Sequence, residues 1–579
     1  MKFEELPNEL LLDLFEFCDP IQLIRSFQHL NTRFNQLLFV RFCSYRLDFR
    51  SISKANFHLM CEEYLPLIID NVSSLCLSDG EETPQLSQHL IPYCLTLDEF
   101  TRLRSLLIQN IDTPSTLLNI TLDCFYLPYL THLKFIKCHF TSNTSPNELF
   151  VNIWNLKQLT HCTLDIIFEH AFNSATFSII SKSIEYLSIK NFTFSSTELA
   201  YLLHSVPSLR HLFIKFGQPI NTELFRLPSV ELLTSLKIYF DGSVCSLTHI
   251  LKSMPNLLYL TFETETINLN GNQWKQILID YVPQIKRFRF LMKVLSIKNN
   301  NVEEQLDDVL NTFRTPFWLD EHQWFVRCDW PQHSKKLFLL YTLPYCFGDI
   351  HVIHQNQWSK TTGPNTCDYN SYDRVMNVFY NGRIGNLTLS PIVYPNVRYL
   401  TLRVSVDNYF WTIIPTLDHL LSLEIIEIRG NSQSKSYLKV LLNRAPRLKY
   451  LSIDPTSCLQ LVQMNISHPS LCRIRLKSYC TRMNRYLNAE QCSILANSLL
   501  GRQCEVLTIR IDDRSIILDL VRNMCNLRAL NCECQNEFWV NHLTFSSDDE
   551  LVVWLRSSLP DKYSISRHRS CLVQLWISR

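Results

Sequence analysis

The stretch Leu209-Arg-His-Leu212-Phe-Ile214 carries the pattern that decides the fold, with apolar residues at its first, fourth and sixth positions. Side chains of a strand alternate between two faces, so Leu212 and Ile214 share one face and the residue between them lies on the other. The pattern therefore predicts a short strand with one buried face. Clear copies begin at Leu103, Leu130, Ile184, Leu233, Leu257, Ile285, Val397, Leu448, Leu471 and Leu527, and weaker copies begin at Val72, Leu159, Leu423 and Leu507.

The copies recur at nearly equal spacing. From Leu130 to Ile285, successive copies start 24 to 29 residues apart. Between them lie stretches with apolar residues at helical spacing, such as residues 196–204. A period of roughly 20–29 residues with this pattern is the signature of leucine-rich repeats. We therefore expect an α/β fold in which residues 71–579 form a leucine-rich-repeat solenoid, with a parallel sheet on the concave face and helices outside. Stacking is needed because a single strand-and-helix unit cannot bury its own apolar face.

The period breaks at about residues 292–375, which are rich in aromatic residues such as Trp318, Trp324 and Trp330. Short strands joined by loops fit this stretch better than helix. It is either two or three degenerate repeats or an insertion. Clustered rings either mark a partner site or fill an irregular core.

The first forty residues do not follow the repeat. Pro7 stands where a helix begins, and Leu10, Leu11, Leu14 and Phe15 then recur at helical spacing. Two further short amphipathic stretches follow, so we expect three short helices. Such a unit has a very small core and leans on a neighbouring domain or a partner.

This segment resembles the F-box. In place of the Cys-x-x-Trp-like element that the family has near its third helix, the chain has Asn31-Thr-Arg-Phe34. An F-box followed by leucine-rich repeats is a known family architecture, which divides the chain into an F-box at 1–47, a helical connector at 48–70 and the repeats. The matching residues are Leu6-Pro7-x-Glu9-Leu10-Leu11-x-x-Leu14-Phe15, Asp19-Pro20-x-x-Leu23 and Leu30-Asn31-x-Arg33-Phe34-x-x-Leu37.

The resemblance implies the substrate-recognition subunit of a Skp/cullin/F-box-type ubiquitin ligase. The F-box would bind a Skp-type adaptor, and through it the cullin and RING subunits, while the repeats would hold an unknown target protein. The chemistry would belong to other subunits, so the chain would not be an enzyme. The alternative is a leucine-rich-repeat scaffold that does not act in ubiquitination. The residues expected to bind the adaptor are Leu6, Pro7, Leu10, Leu14, Leu23 and Phe34.

The variable strand positions carry more basic than acidic residues, although the whole chain has a formal charge of only +1. We hypothesise that this face binds an acidic or phosphorylated segment through charge-assisted hydrogen bonds. The alternative is that these cations merely solvate exposed strand positions. The residues expected to bind the target are Arg210, Lys286, Arg287, Arg289, Arg398, Tyr399 and Tyr450.

Composition limits the other classes of function. The near balance of 55 Lys and Arg against 54 Asp and Glu argues against a globally basic nucleic-acid binder. Only 10 glycines occur, so glycine-rich phosphate loops are disfavoured. Cys525, Cys532, Cys534 and His542 match no zinc spacing. We expect no metal or other cofactor, no membrane segment, and an intracellular protein, cytoplasmic or nuclear, with free thiols.

Overall fold

The structure of the chain is a computed structural model. In the part of the chain that it describes, 37% of residues are helical and 28% are in strands, and these strands form long parallel sheets without closing a barrel. The predicted mixed α/β class is therefore confirmed. The described residues are 3–16, 23, 26–27, 30–42, 45–89, 96–140, 146–168, 177, 179–217, 226–295, 302–331, 337–352, 357–364, 372–381, 392–403, 408–426, 432–463, 466–477, 486–535, 549–567 and 572–578.

The chain divides into two compact units. The first unit is Met1–Leu258 with Ser578–Arg579, and the second is Tyr259–Ile577. Described strands of the first unit pair in chain order, each parallel to the next. They are β1 (Tyr45–Asp48), β2 (Val72–Ser78), β3 (Ser105–Gln109), β4 (His132–Phe140), β5 (His161–Phe168), β6 (Tyr186–Phe194), β7 (His211–Gly217) and β8 (Ser235–Asp241).

Buried columns of apolar side chains explain this pairing. Leu133, Cys162, Leu187, Leu212 and Leu236 stand opposite one another on successive strands, and each is at most 2% exposed. Strands that are buried on one face keep their register, because a shift by one residue would turn the whole column to solvent. The residues that alternate with the columns lie on the opposite sheet face, which we call the variable face.

Side chains before the strands also fix the spacing of the repeats. Asn256 donates from Nδ2 to the carbonyl of Glu231 at 2.9 Å, and Ser208 donates from Oγ to the carbonyl of Lys182 at 2.7 Å. Asn526 makes the same type of bond in the second unit. Each bond joins equivalent points of neighbouring repeats, which accounts for the Asn or Ser that often precedes the first apolar position of the pattern.

Helices alternate with the strands in the first unit. Helix α8 begins with a capping box, in which Ser195 accepts a hydrogen bond from the Glu198 backbone and Glu198 accepts one from the Ser195 backbone. The described helices are α1 (Asn8–Glu16), α2 (Thr32–Phe42), α3 (Lys54–Leu59), α4 (Leu65–Ile68), α5 (Leu86–His89), α6 (Pro114–Asp123), α7 (Asn147–Trp154), α8 (Ser196–Ser205) and α9 (Val244–Lys252). Helices α3 and α4 lie within residues 48–70, where a helical connector was predicted.

The second unit starts with two parallel strands and then changes direction. β9 (Tyr259–Thr264) and β10 (Arg287–Leu295) are parallel. β12 (Leu337–Thr342) is antiparallel to β10, and β11 (Val326–Pro331) lies antiparallel between β12 and β14 (Gln357–Thr361). The short strands predicted for this segment are confirmed. These three strands depart from the parallel pairing of the first unit, whereas residues 349–352 of the same segment pair in parallel with residues 377–380.

The same segment also contains a helix that the sequence did not predict. α11 (Val302–Asn311) is tied to β14 by Lys360, whose Nζ lies 2.7 Å from Asp307 Oδ2 and 3.1 Å from Glu303 Oε1. The clustered rings Trp318, Trp324 and Trp330 are buried. They therefore fill a core, as one of the two sequence interpretations proposed.

The remaining described strands of the second unit form another sheet. They pair in parallel from β13 to β21, and then β23 and β22 turn antiparallel. The strands are β13 (Asp349–Val352), β15 (Asn377–Tyr380), β16 (Tyr399–Leu402), β17 (Ser422–Ile425), β18 (Tyr450–Ile453), β19 (Arg473–Leu476), β20 (Val506–Ile511), β21 (Ala529–Cys534), β22 (Ser564–Arg567) and β23 (Val573–Trp576).

Helices again separate many of these strands. None of the helices in the described part of the chain has the length and apolar character needed to span a membrane. The other helices of the second unit are α10 (Gly271–Tyr281), α12 (Asn408–Ile413), α13 (Ser432–Asn443), α14 (Pro455–Gln463), α15 (Ala489–Asn497), α16 (Leu499–Gln503), α17 (Ser515–Asn523) and α18 (Glu550–Ser558).

Candidate protein-interaction surfaces

Helix α1 presents apolar side chains on two sides. The carbonyl of Pro7 accepts the first hydrogen bond of this helix, from the backbone of Leu11. Leu11 and Phe15 are fully buried, whereas Leu10 is 49% exposed and Leu14 is 43% exposed. Pro7 is exposed as well. We call Pro7, Leu10 and Leu14 the N-terminal apolar surface.

Arg33 is hydrogen-bonded to residues at and just before the start of helix α1. Its guanidinium donates from Nε to Asn8 Oδ1 at 2.9 Å and from its two terminal nitrogens to the carbonyls of Glu4 and Leu6. Asn31 caps helix α2 by accepting a hydrogen bond from the Phe34 backbone at 2.8 Å. The Asn-x-Arg-Phe stretch at residues 31–34 therefore joins the start of α1 to α2.

Other predicted adaptor-binding residues lie inside the small core. Leu23 is 2% exposed and Phe34 is 1% exposed, so these two side chains support the surface rather than form part of it. The Phe27 ring packs 5.0 Å from Phe15 and 5.2 Å from Phe34, measured between ring centroids. Leu6 is half-buried. The second of the three predicted helices falls on residues 17–29, most of which lie outside the described residues.

The predicted basic group on β10 lies on the variable face of the second unit. Arg287 and Arg289 alternate with the buried Phe288 and Phe290. The Arg287 guanidinium lies over the ring of Tyr259, 5.8 Å from its centroid. Lys286 is exposed, but it lies just before β10. The alternation of side chains within the strand therefore does not show on which sheet face Lys286 lies.

A residue that the sequence did not single out adds to this group. Arg374 follows Tyr372, whose hydroxyl lies 2.6 Å from the hydroxyl of Tyr341 on β12. Burial lowers the pKa of the Arg289 guanidinium, and the positive charges of Arg374 and Arg287 lower it further. The side chain of Cys346 is hydrogen-bonded to Arg289 and opposes this shift. Arg287 and Arg289 lie two residues apart on β10, and we call them the arginine pair.

The other predicted target-binding residues lie at strand starts. In the first unit, Arg210 just before β7 is exposed and lies 3.6 Å from a carboxylate oxygen of Glu185. In the second unit, Arg398 is exposed just before β16, and Tyr399 at the start of that strand is 50% exposed. Tyr450 is half-buried at the start of β18.

A row of aromatic rings on the first unit was not predicted as a site. His132 and His161 stack with ring centroids 4.2 Å apart, Tyr186 stacks on His161 at 5.6 Å, and His211 lies 6.0 Å from Tyr186. These residues start β4 to β7 and pair in register. Each of these residues occupies the same position in its copy of the sequence pattern. That recurrence of aromatic residues could have revealed the row from the sequence.

The residues considered for zinc are not brought together as a metal site. Cys532 and Cys534 are buried, Cys525 is exposed, and His542 lies outside the described residues. No three His, Cys, Asp or Glu side chains of the described part are grouped so as to hold a metal ion.

Neither a protein-family model nor a curated protein matches this sequence. The chain is a mixed α/β protein with long parallel sheets. It carries a small apolar surface on its first helix and two arginines on a sheet face of its second unit.

Proposed function

We propose that this chain is the substrate-recognition subunit of a Skp/cullin/F-box-type ubiquitin ligase. Its N-terminal helices act as an F-box that binds a Skp-type adaptor, and its repeats bind the protein to be modified. Catalysis then belongs to the cullin-bound subunits, and this chain supplies binding only. The observation that carries the proposal is the N-terminal apolar surface, held above a core of Leu11, Phe15 and Phe34.

Exposed leucines on a short helix favour a partner. Folding leaves about half of Leu10 and Leu14 in water, although the same helix fully buries Leu11 and Phe15. Covering the remaining apolar area of each leucine stabilises a complex by about 1 kcal/mol. Arg33 keeps the surface rigid through its three hydrogen bonds. Little conformational entropy is therefore lost on binding.

The remainder of the chain supports the leucine-rich-repeat part of the proposal. Parallel strands recur at the spacing of the sequence pattern, and their Leu, Ile and Cys columns are buried. In a leucine-rich-repeat solenoid, the variable face is the concave surface that holds a ligand. On this interpretation Arg287, Arg289, Tyr399 and Tyr450 contact an acidic or phosphorylated target.

A pull-down with a recombinant Skp-type adaptor tests the proposal. The full-length chain should retain the adaptor, and Leu10→Asp/Leu14→Asp should lower retention at least about tenfold, since two charges would be buried at the contact. Leu67→Asp/Leu122→Asp is the matched control, because Leu67 and Leu122 are 65% and 48% exposed elsewhere in the first unit.

Retention by the control and loss in the first variant support the F-box assignment. Circular dichroism of both variants checks that each is folded. If the folded native chain does not retain the adaptor, the ligase assignment is wrong, and the chain is a repeat scaffold outside ubiquitination.

A further inference from the structure

We infer that exposed aromatic rings just before β4, together with carboxylates of the preceding repeat, bind a basic, arginine-containing segment of a protein partner. The surface consists of Phe125, Tyr126 and Tyr129 with Asp98 and Glu99, and we call it the acidic aromatic surface. It lies in the first unit, outside the N-terminal apolar surface and outside the strands that carry the variable face. The inference does not depend on the proposed ligase function.

A tight turn before each strand decides which side chains point outward. Before β4, the Leu127 backbone donates to the Cys124 carbonyl at 3.2 Å, and the Leu130 backbone donates to the Leu127 carbonyl at 3.4 Å. These three side chains are buried, so the residues between them lie on the outside. The equivalent buried residues before β3 are Leu97, Phe100 and Leu103.

The outward positions before β4 hold large aromatic side chains. Phe125, Tyr126 and Tyr129 are 44%, 70% and 58% exposed. Single exposed apolar residues are common, but three rings within five residues form a patch. The next repeat has Asn155 and Gln158 in the places of Tyr126 and Tyr129. The turn therefore folds without these rings, and leaving them in water contributes nothing to its stability.

Tyr129 also occupies a place that other repeats use for a hydrogen bond. Asn256, Ser208 and Asn526 each stand one residue before the first apolar position of the pattern, and each donates to a carbonyl of the neighbouring repeat. Tyr129 stands at this place before Leu130, and its hydroxyl has no partner among the described residues. The stacking of repeats therefore does not account for Tyr129, which favours a role in binding.

Carboxylates lie close to the rings. The turn Leu97–Glu99 contacts the turn Cys124–Tyr126, which brings the exposed Asp98 and Glu99 to the same part of the surface. Burial raises the pKa of Asp123, and the negative charge of Asp98 raises it further. None of these three carboxylates lies within 4.0 Å of a Lys, Arg or His nitrogen of the described residues. Their charge is therefore available to a partner.

Rings and carboxylates together favour a basic partner. Residues 96–102 and 122–129 contain three acids, Asp98, Glu99 and Asp123, against the single base Arg102, which leaves a net charge of −2. A guanidinium group stacks on a tyrosine or phenylalanine ring and donates to a carboxylate at the same time. Nucleic acids, anionic lipids and acidic peptides would instead meet negative charge.

A second copy of this chain is a poorer occupant of the surface. A two-fold dimer places the same patch of each copy against the other. The carboxylates of the two copies would then face one another, and like charges at an interface oppose association. An arginine-containing segment brings the opposite charge to the same rings.

Two peptide libraries test the inference. Both alternate a fixed residue with degenerate positions, and the fixed residue is arginine in one library and glutamine in the other. Fluorescence polarisation measures their binding to the purified full-length chain. We expect the arginine library to bind at least about tenfold more tightly than the glutamine library. Tyr126→Asn/Tyr129→Gln should weaken binding of the arginine library about tenfold, because two ring contacts are lost.

Further variants separate this surface from general effects of charge. Asp98→Asn/Glu99→Gln should also weaken binding of the arginine library about tenfold. Asp320→Asn/Glu321→Gln is the matched control, because it removes two adjacent exposed carboxylates from the second unit. Tyr437→Asn, which removes an exposed ring of α13, is the control for the aromatic residues. Both controls should bind as the native chain does, and circular dichroism checks that every variant is folded.

Equal binding of the two libraries to the native chain would overturn the inference. So would unchanged binding by the folded Tyr126→Asn/Tyr129→Gln variant, or an equal loss of binding in Asp320→Asn/Glu321→Gln. Sedimentation of the native chain tests the other occupant, since self-association that the tyrosine variant abolishes would assign the surface to a second copy. The assay contains no adaptor, so its result and that of the adaptor pull-down are judged separately.

Discussion

At the scale of single residues, the stacked rings of His132 and His161 each contact a threonine hydroxyl. The Thr131 hydroxyl lies 2.9 Å from His132 Nδ1, and the Thr160 hydroxyl lies 2.9 Å from His161 Nδ1. Burial lowers the pKa of both imidazoles, and the positive charge of Lys134 lowers it further.

These lowered pKa values give the first prediction. In ring-labelled protein, nitrogen NMR should follow the protonation of His132 and His161. Both should titrate below the usual pKa of 6.5, because burial and neighbouring positive charges disfavour the imidazolium. The unfolded chain then binds more protons just below pH 6.5, so stability should fall as the pH is lowered through this range. His132→Gln/His161→Gln should weaken that pH dependence.

A titration of His132 or His161 above pH 6.5 would contradict this prediction.

At the scale of elements, adjacent helices of the first unit are joined by a buried polar contact. Trp154 at the end of α7 donates from Nε1 to Ser205 Oγ at 2.9 Å, and Ser205 at the end of α8 donates to the Leu202 carbonyl at 2.7 Å. Both side chains are buried. The serine satisfies a donor that would otherwise be enclosed without a partner.

Ser205→Ala should therefore lower the free energy of unfolding by about 1–3 kcal/mol, the cost of leaving a buried donor unsatisfied. Ser253→Ala is the matched control. Ser253 occupies the equivalent position after α9 and also donates to a carbonyl three residues earlier, at 2.7 Å. Among the described residues, Ser253 accepts no hydrogen bond from a tryptophan. Ser253→Ala should therefore lower the free energy of unfolding by less than about 1 kcal/mol.

Denaturant unfolding of the two variants and of Trp154→Phe/Ser205→Ala measures the difference. The double variant removes donor and acceptor together and should recover part of the loss. Equal destabilisation by the two serine variants would show that the tryptophan contact contributes nothing.

At the scale of the whole molecule, the cysteine thiols differ in whether the protein core buries them. Burial raises the pKa of Cys61, Cys124, Cys138, Cys458 and Cys492 to about 12. Cys245 and Cys525 are exposed. The thiolate is the reactive form, so buried thiols react only after local opening.

Alkylation with iodoacetamide at pH 8, followed by peptide mass mapping, should therefore modify Cys245 and Cys525 before these five buried thiols. The five buried thiols should react at least about a hundredfold more slowly than Cys245 and Cys525. All seven should react at a common rate once denaturant unfolds the chain. Fast modification of Cys138 or Cys458 in the folded protein would show that the packing described for their unit is wrong.

Much of the architecture was predictable because it depends on local periodicity. The alternation Leu-x-x-Leu-x-Ile predicted the strands at Leu209 and Leu448, and the buried columns occupy those positions. Helical spacing likewise predicted α1 and the buried Leu11 and Phe15 within it. Patterns of this kind show which face of a strand or helix is apolar, because the residues of that face recur at a fixed spacing in the sequence.

Tertiary contacts decided the rest. The sequence placed Leu23 and Phe34 together with Leu10 and Leu14, and only packing separates the buried pair from the exposed pair. Periodicity ends at about residue 292, so it could not predict that β11, β12 and β14 pair antiparallel. Nor could it bring Tyr341 and Tyr372 together, whose hydroxyls lie 2.6 Å apart. Alternation within a strand depends on adjacent residues, whereas a contact between distant segments exists only once those segments have packed.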